Sequence, residues 1–264
     1  MTALAMRDAL DTAPGMPPLL RIEHVQLGYE TARGRHVAVD DVDLALGADE
    51  RLTVIGPSGC GKSTLLRAIA GLLAPLAGRI AFDGRPVTKP GPDRAVVFQD
   101  FDQLLPWRSV LGNVAYPLRV NGLGRRRADE RARELLDLTD LSAAADRHPH
   151  ELSGGMKQRV AIARALALQP RLLLMDEPFG ALDAITRERL QGRLREILDE
   201  TRTALVFVTH SIDEALLLGD RVLVLAGAPS RVVALHDVGT PDSQGEARTQ
   251  LQALLADDRG DDRD

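Results

Sequence analysis

Cysteine is nearly absent from this chain of 264 residues, since Cys60 is its single example. One cysteine cannot form a disulfide within the chain, so the composition suits a reducing compartment such as the cytosol. Long apolar runs are also missing, because no segment approaches the ~18–20 residues that a helix needs to cross a bilayer. The sequence therefore predicts a protein that reaches a membrane only through another protein.

Positive charge is not in excess either, because 33 Lys and Arg stand against 38 Asp and Glu, giving a formal net charge of −5. Proteins that bind nucleic acid usually carry a basic excess, so no nucleic-acid partner is expected. The apolar share of 44% is ordinary for a globular protein that buries a core. The length allows one large domain or two modest ones.

Both ends of the chain carry little that could form a core. Residues 1–18 mix charges with apolar residues, lack the continuous apolar segment of a signal peptide and predict a flexible leader. Residues 239–264 form a C-terminal extension whose last eight residues, DDRGDDRD, predict a disordered acidic tail. Leu251, Leu254 and Leu255 predict one short amphipathic helix in this extension.

Apolar patterning predicts an α/β domain over residues 19–238, with a parallel sheet wrapped by helices. The alternation in residues 39–46, VDDVDLAL, is typical of a strand in an antiparallel layer. Ala, Leu, Arg and Glu dominate residues 110–167, which predicts a helical subdomain inserted at about residues 100–167. The other predicted strands are residues 20–28, 51–55, 95–98, 172–175, 204–208, 222–225 and 232–235, and the other predicted helices are 62–70 and 184–200.

A glycine-rich segment, GPSGCGKST, fits the pattern G-x-x-x-x-G-K-[ST] between a predicted strand and a predicted helix. Its glycines lack Cβ atoms, so the loop can turn its backbone N–H groups toward a phosphate, and the helix dipole adds to the attraction. Lys62 is expected to reach the β- and γ-phosphates, and the Ser63 hydroxyl to ligate Mg²⁺. Cys60 is either a small residue without a catalytic role or a thiol whose pKa nearby positive charge lowers. The predicted nucleotide-binding residues here are Gly56, Pro57, Ser58, Gly59, Cys60, Gly61, Lys62, Ser63 and Thr64.

An acidic pair follows the predicted apolar strand in LLLMDEP, residues 172–178. Asp176 is expected to hold Mg²⁺ directly or through water, as an Asp does at this point in P-loop ATPases. Glu177 is expected to polarise the attacking water as a general base. Taken alone, the pair also fits a solvated turn before Pro178, but together with the phosphate loop it favours nucleotide hydrolysis.

A second glycine-rich turn opens a helix at LSGGMKQR, residues 152–159, and so predicts a second anion site. A serine-capped helix start accounts for part of the same pattern. The stretch resembles the signature motif of ABC ATPases, and other motifs of that family lie in order over residues 20–235. Gln99 resembles the Q-loop glutamine, Ala181, Leu182 and Asp183 resemble the D-loop, His210 resembles the switch histidine, and Tyr29 resembles the aromatic residue that stacks on adenine.

The resemblance implies a P-loop NTPase with a parallel core sheet, an antiparallel β layer and a helical signature subdomain. It implies ATP and Mg²⁺ as ligands, with Ser63, Gln99 and Asp176 near the metal, and an adenine-stacking Tyr29. The catalytic residues that it implies are Lys62, Gln99, Glu177 and His210.

A second ATPase subunit is also implied, because in this family the signature of one subunit covers the ATP that its partner holds. Ser153, Gly154, Gly155 and Asp183 are therefore expected at the nucleotide of a head-to-tail dimer. A homodimer is the first expectation, and pairing with a paralogous ATPase stays open.

Residues 101–118, 175–191 and 208–225 are similar to the ATPases of nitrate, sulfonate and taurine importers. This similarity implies uptake of a small solute through a separate transmembrane permease, supplied by a solute-binding protein. The chain is then expected at the cytoplasmic face of the inner membrane. Trp107 lies in the segment that receives the permease in this family, so it is either a partner anchor or an ordinary packing residue.

A soluble ABC ATPase of the translation or DNA-repair type is the alternative function. Translation factors of this type usually carry two such domains, and repair ATPases carry a long coiled coil, whereas no sustained heptads occur here. A protein that binds nucleotide without hydrolysing it is a third reading. The presence of Lys62, Asp176, Glu177 and His210 argues against it.

Overall fold

A computed structural model describes residues 17–31, 34–100, 103–238 and 241–257. Most of the predicted leader and acidic tail therefore lies outside the described residues. The chain divides into two compact units, of which one comprises Met1–Gly91 and Ala204–Asp264 and the other Pro92–Thr203. The predicted domain bounds stay a prediction.

The predicted strands and helices all occur in the expected order, and the strands Ala77–Phe82 and Arg85–Pro86 and the helix Ile212–Leu218 are additional. The strands are β1 Leu20–Thr31, β2 Gly34–Leu46, β3 Arg51–Ile55, β4 Ala77–Phe82, β5 Arg85–Pro86, β6 Arg94–Val97, β7 Leu172–Asp176, β8 Ala204–Val208, β9 Arg221–Gly227 and β10 Ser230–Asp237. The helices are α1 Lys62–Ile69, α2 Val110–Val120, α3 Arg125–Leu138, α4 Gly154–Ala167, α5 Ala184–Thr201, α6 Ile212–Leu218 and α7 Pro241–Asp257.

In the first unit, the strands form a mixed sheet in the order β5-β4-β1-β2-β10-β9-β3-β8. Its parallel part is β9-β3-β8, where β3 pairs in parallel with both β9 and β8. All five residues of β8 are buried, which is typical of a strand covered on both faces. This arrangement confirms the predicted parallel core strands.

The antiparallel layer of the first unit is built on β1, which pairs with β2 on one side and β4 on the other. Leu20, Ile22 and Leu27 are all buried. Leu20 and Ile22 follow the two-residue alternation of a strand, whereas Leu27 is out of step with them and follows register shifts between Ile22 and Val25 and between Val25 and Leu27. β4 has no counterpart in the sequence-based prediction, because its AGRIAF sequence holds a glycine and few β-branched residues. It forms a strand because β1 supplies the pairing edge, with Ile22 opposite Ile80.

The second unit holds the parallel pair β6-β7 together with α2, α3, α4 and α5. The predicted helical region is confirmed, with two short 3₁₀ turns at Ser142–Ala144 and Pro149–Glu151 between α3 and α4. The buried face of α3 consists of Ala128, Ala132, Leu135 and Leu136. This spacing of four, three and one residues places them on one stripe of the helix.

None of the helices within the described ranges is both long enough and apolar enough to cross a membrane.

The C-terminal extension contains a longer helix than expected, since α7 runs over 17 residues from Pro241 to Asp257. Leu251 is fully buried in it and joins a cluster with Leu216 and Val224. Leu254 packs on the same cluster while partly buried. The helix is therefore docked on the first unit through the leucines that predicted it.

Replacing Leu251 with alanine is expected to lower the free energy of unfolding by about 2–4 kcal/mol, because a buried leucine leaves a cavity when truncated. Urea unfolding followed by circular dichroism measures the change. Gln252→Ala is the matched control, because Gln252 is the exposed neighbour on the same helix and its truncation leaves no cavity. Equal unfolding midpoints for the two variants would contradict the docking of α7.

Candidate functional site

The glycine-rich loop begins where β3 ends, and its path leaves no space for side chains at two positions. A Cβ on Gly56 would lie 2.2 Å from the Leu225 carbonyl oxygen. Gly61 has a φ of +92°, and a Cβ there would lie 2.3 Å from a methyl carbon of Val39. Only glycine fits both positions, so the chain itself imposes a closely wound loop before α1.

Lys62 is the first residue of α1, and its side chain folds back over this loop. The residue is 6% exposed. Its ammonium group donates hydrogen bonds of 2.8 Å to the Gly56 carbonyl and 2.7 Å to the Pro57 carbonyl. A buried positive charge is thus held at the start of a helix, where backbone N–H groups without helical partners also favour an anion.

Cys60 is a buried residue of the glycine-rich loop. Its Sγ atom lies 4.0 Å from Lys62 Nζ, and its carbonyl accepts a hydrogen bond from the Ser230 hydroxyl. A Cβ on Gly56 would approach the same sulfur to 2.8 Å. This tight packing favours the interpretation of Cys60 as a small residue that fills the loop.

The acidic pair lies in the second unit, at the end of the fully buried strand β7. Asp176 closes the strand and is 4% exposed. Glu177 follows with a φ of +44°, a left-handed conformation that residues other than glycine seldom adopt. The backbone therefore turns sharply at Glu177 and departs from the direction of β7, which ends at Asp176.

Gln99 and Glu177 meet although 78 residues separate them in the sequence. The Gln99 Nε2 group donates a hydrogen bond of 3.1 Å to Glu177 Oε2. The predicted Q-loop glutamine and the predicted general base are thus direct neighbours within one unit. A carboxylate that accepts this bond is oriented by it.

The carbonyl group next to Gln99 is tied to the signature helix. The Phe98 oxygen accepts hydrogen bonds from Gln103 Nε2 at 2.9 Å and from Gln158 Nε2 at 3.1 Å. Gln158 lies on α4 and is 1% exposed. Sequence reasoning missed this role, and its only signal was a glutamine on the inward stripe of the LSGGMKQR helix.

The signature motif forms the start of α4, as the helix-cap interpretation predicts. The Ser153 hydroxyl accepts a hydrogen bond of 3.3 Å from the Met156 N–H. A Cβ on Gly155 would come within 3.0 Å of a Leu182 methyl carbon, so the signature lies directly beside the predicted D-loop. Gly154 is the first residue of the helix.

Asp183 caps the following helix, α5. Its carboxylate accepts a hydrogen bond of 3.0 Å from the Thr186 N–H, and this bond lowers the pKa of the Asp183 carboxyl. The residue is exposed. It is therefore held ionised at a helix N-terminus, where a negative charge is favourable.

The remaining predicted residues belong to the first unit. His210 is exposed and follows the buried Thr209 at the end of β8. Tyr29 lies on β1 opposite His36 and is 43% exposed. Its ring thus has an open surface on which a planar base could stack.

One histidine cluster in the antiparallel layer was not expected from spacing. His24 Nδ1 lies 3.1 Å from Asp41 Oδ1 and 3.2 Å from Asp43 Oδ2. The His24 N–H also donates to Asp43. These three side chains could ligate a cation, but those of His24 and Asp41 are 62% and 65% exposed, and hydrogen bonding between exposed polar side chains explains the arrangement.

Comparison with known proteins bears on these residues. A family model described as "ABC transporter" matches residues 39–180. The taurine import ATP-binding protein TauB of Rhizobium johnstonii is 52% identical over 221 residues, which cover 83% of this chain and 84% of the relative. TauB of Pseudomonas putida is 49% identical over 237 residues, covering 89% of each protein.

A nitrate import ATP-binding protein, NrtC of Synechococcus elongatus, is 51% identical over 218 residues, which cover 81% of this chain and 33% of the relative. The chain thus spans about a third of that relative's length.

Solved structures agree with the sequence comparison. The ATP-binding cassette MJ0796, in a dimeric post-hydrolysis state bound to ADP and Pi, superposes with a TM-score of 0.77 at 32% identity, covering 84% of this chain and 99% of that one. CbiO1 of Clostridium perfringens, part of the ABC transporter complex CbiONQ, gives a TM-score of 0.74 at 28% identity, covering 91% and 97%. The predicted fold is thereby confirmed, and the chain belongs to the ABC transporter family as one of its ATPases.

Proposed function

We propose that this chain powers an importer of a small solute by binding and hydrolysing ATP. The observation that carries the importer assignment is the 52% identity with a taurine import ATP-binding protein over most of both chains. The nitrate import relative at 51% identity supports the same class of cargo, a small oxyanion or sulfonate.

The phosphate loop binds the nucleotide in this proposal. Gly56 and Gly61 support it, because a Cβ at either position would clash with neighbouring atoms, and glycine-rich turns of this kind can present backbone N–H groups to an anion. Lys62 supplies the charge that meets the phosphate oxygens, and Tyr29 stacks on the adenine ring. The Pro57–Thr64 backbone completes the cradle.

The donor set proposed for Mg²⁺ consists of the Ser63 hydroxyl, the Gln99 amide oxygen and the Asp176 carboxylate. All three are oxygen donors, which a hard cation of this size prefers. A bound Mg²⁺ would neutralise negative charge on the phosphate oxygens. Burial of Asp176 supports its role, because a carboxylate kept from water interacts strongly with a cation.

Hydrolysis requires a group that orients and deprotonates water. Glu177 has this role in the proposal. Gln99 orients the Glu177 side chain, since its amide donates a hydrogen bond directly to the glutamate carboxylate. His210 contacts the γ-phosphate and the attacking water. Lys62 stabilises the negative charge that develops on the phosphate oxygens.

A second ATPase subunit completes the site. Ser153, Gly154 and Gly155 approach the ATP of the partner, and Asp183 follows beside them. The N-terminus of α4 supports this role, because its N–H groups favour an anion. The dimeric state of MJ0796 supports such pairing.

Trp107 is the proposed anchor for the permease. It is 70% exposed, which supports an anchor role over ordinary packing. Its loop is nevertheless well held, because the buried Asn113 side chain bonds to the backbone of Leu105 and to the Arg108 carbonyl. An exposed aromatic side chain on a firmly held loop suits the centre of an interface.

Purification of the tagged full-length chain from native membranes, followed by mass spectrometry, tests the importer assignment. A co-purifying polytopic permease is the expected result, and it would place the chain at the cytoplasmic face of the inner membrane. Its companion solute-binding protein could then be screened with taurine, nitrate and sulfonates. Recovery of ribosomal or DNA-repair proteins instead would contradict the proposal.

Trp107→Ala is expected to reduce permease recovery in this purification at least about tenfold, because truncating a central aromatic anchor costs ~2 kcal/mol or more. The ATPase activity of the purified chain should be unchanged. Leu72→Ala is the matched control, since Leu72 is also an exposed apolar residue, at 50%. Full recovery of the permease with Trp107→Ala would contradict the anchor role.

A further inference from the structure

His210 lies inside a closed set of hydrogen bonds made by its neighbours. The Thr209 hydroxyl donates a bond of 2.5 Å to Glu214 Oε2. The Ser211 N–H donates a bond of 3.0 Å to the same Thr209 oxygen. The Glu214 N–H donates a bond of 3.4 Å to the Ser211 hydroxyl. The residues on both sides of the histidine are therefore connected to one carboxylate.

The Ser211 N–H donates to the Thr209 hydroxyl, which donates in turn to the Glu214 carboxylate, so the carboxylate is the final acceptor. A threonine hydroxyl has one hydrogen, which goes to Glu214, while its oxygen remains free to accept from the Ser211 N–H. A short bond to an ionised acceptor is among the stronger hydrogen bonds in proteins. Thr209 is 1% exposed, so little water competes for its hydroxyl.

Glu214 itself is carried by a well-anchored helix. The neighbouring Ala215 is fully buried, and the Thr53 hydroxyl of β3 lies between its carbonyl, at 3.3 Å, and the Arg221 carbonyl, at 3.2 Å. Asp213, on the outer face, forms an ion pair with Arg248 of α7. The Thr209 N–H donates a bond of 3.2 Å to the Val54 carbonyl, which holds the other end of the segment. His210 thus lies between Thr209, which is bonded to β3, and the anchored helix α6.

We propose that Glu214 is a positioning residue for His210: its carboxylate, acting through the Thr209 hydroxyl, holds the backbone that aims the imidazole. The inference rests on the proposed function, in which His210 contacts the γ-phosphate and the attacking water. Glu214 touches neither. Its contribution is the orientation of the imidazole, and catalytic rates are sensitive to misplacements of about 1 Å.

The test compares steady-state ATP hydrolysis by full-length variants. Glu214→Ala removes the acceptor and is expected to lower kcat about tenfold while KM for ATP changes less than about twofold, because orientation acts on the reacting atoms rather than on nucleotide binding. Glu214→Gln keeps an oxygen that can accept from Thr209 and should retain most of the turnover. Glu246→Ala is the matched control, since Glu246 is an exposed glutamate on α7 of the same unit, and kcat should be unchanged.

A double-mutant comparison separates positioning from general destabilisation. In a His210→Ala background, Glu214→Ala should cause no further loss of kcat, because both changes remove the same contribution. An additional tenfold loss there, or an equal loss in Glu214→Gln, would overturn the inference. So would wild-type turnover in Glu214→Ala.

The same series keeps the two proposals apart. Wild-type turnover in His210→Ala would overturn the proposed role of the histidine and, with it, the inference. A large loss in His210→Ala beside normal turnover in Glu214→Ala would overturn the inference alone. Thermal unfolding of each variant identifies any loss of rate that comes from unfolded protein.

Discussion

Glu177→Gln is expected to lower ATP turnover by about 10²–10⁴-fold, because it removes the group that takes a proton from the attacking water. ATP binding should be retained. The amide has nearly the same shape as the carboxylate, and it keeps an oxygen that can accept the hydrogen bond from Gln99. The local arrangement of the two side chains is therefore expected to survive the substitution. Phosphate release measures turnover, and equilibrium binding of a fluorescent ATP analogue measures affinity.

The design separates loss of the base from loss of structure. Glu188→Gln is the matched control, because Glu188 is an exposed glutamate on α5 of the same unit. This variant should hydrolyse ATP normally. Size-exclusion chromatography with ATP adds a second readout, since a variant that binds but does not hydrolyse ATP should accumulate as the dimer. Near-normal phosphate release by Glu177→Gln would refute the assignment of Glu177 as the base.

Lys62→Ala is expected to weaken ATP binding by about 10–100-fold, the range that corresponds to losing hydrogen bonds made by a charged group. The loss should be large because the ammonium is 6% exposed and lies inside the phosphate loop. Turnover at limiting ATP should fall at least as steeply. Titration calorimetry with ATP and Mg²⁺ measures the affinity.

A structural side effect of this substitution must be measured alongside it. The Lys62 ammonium donates to the Gly56 and Pro57 carbonyls, so its removal also takes away their donor. Thermal unfolding shows how much stability is lost, and Lys89→Ala, at an exposed lysine of the same unit, provides the control. Unchanged ATP affinity in a folded Lys62→Ala variant would contradict the role of the lysine.

Much of the fold could be predicted because local patterns carry it. The buried run of β8 is continuous and apolar, β3 is apolar apart from Arg51 and Thr53, and both strands match the predicted bounds. The phosphate loop was recognisable because Gly56, Gly61 and Lys62 are required by backbone space and charge, which are properties of the residues themselves. The signature serine was predictable for the same reason, since a helix cap acts within three residues.

The residues that sequence reasoning missed act across long separations. β4 forms because β1 offers it a pairing edge, and its own composition favours no strand. Gln158 holds the Phe98 carbonyl from 60 residues away, and its place on the inward stripe of α4 does not say which group it contacts. Asn113 is likewise known as the support of the Trp107 loop only from its burial and its backbone contacts.

Residue types and local spacing carry the predicted chemistry of this protein: a glycine-rich loop, a lysine within it, an acidic pair after an apolar strand, and a signature that opens a helix. These depend on residue type and on spacings of a few residues, so they are legible in one dimension. Folding alone brings Gln99 to Glu177 and Thr209 to Glu214. A hydrogen bond requires two atoms to lie about 3 Å apart, and folding, rather than proximity in the chain, sets which pairs meet.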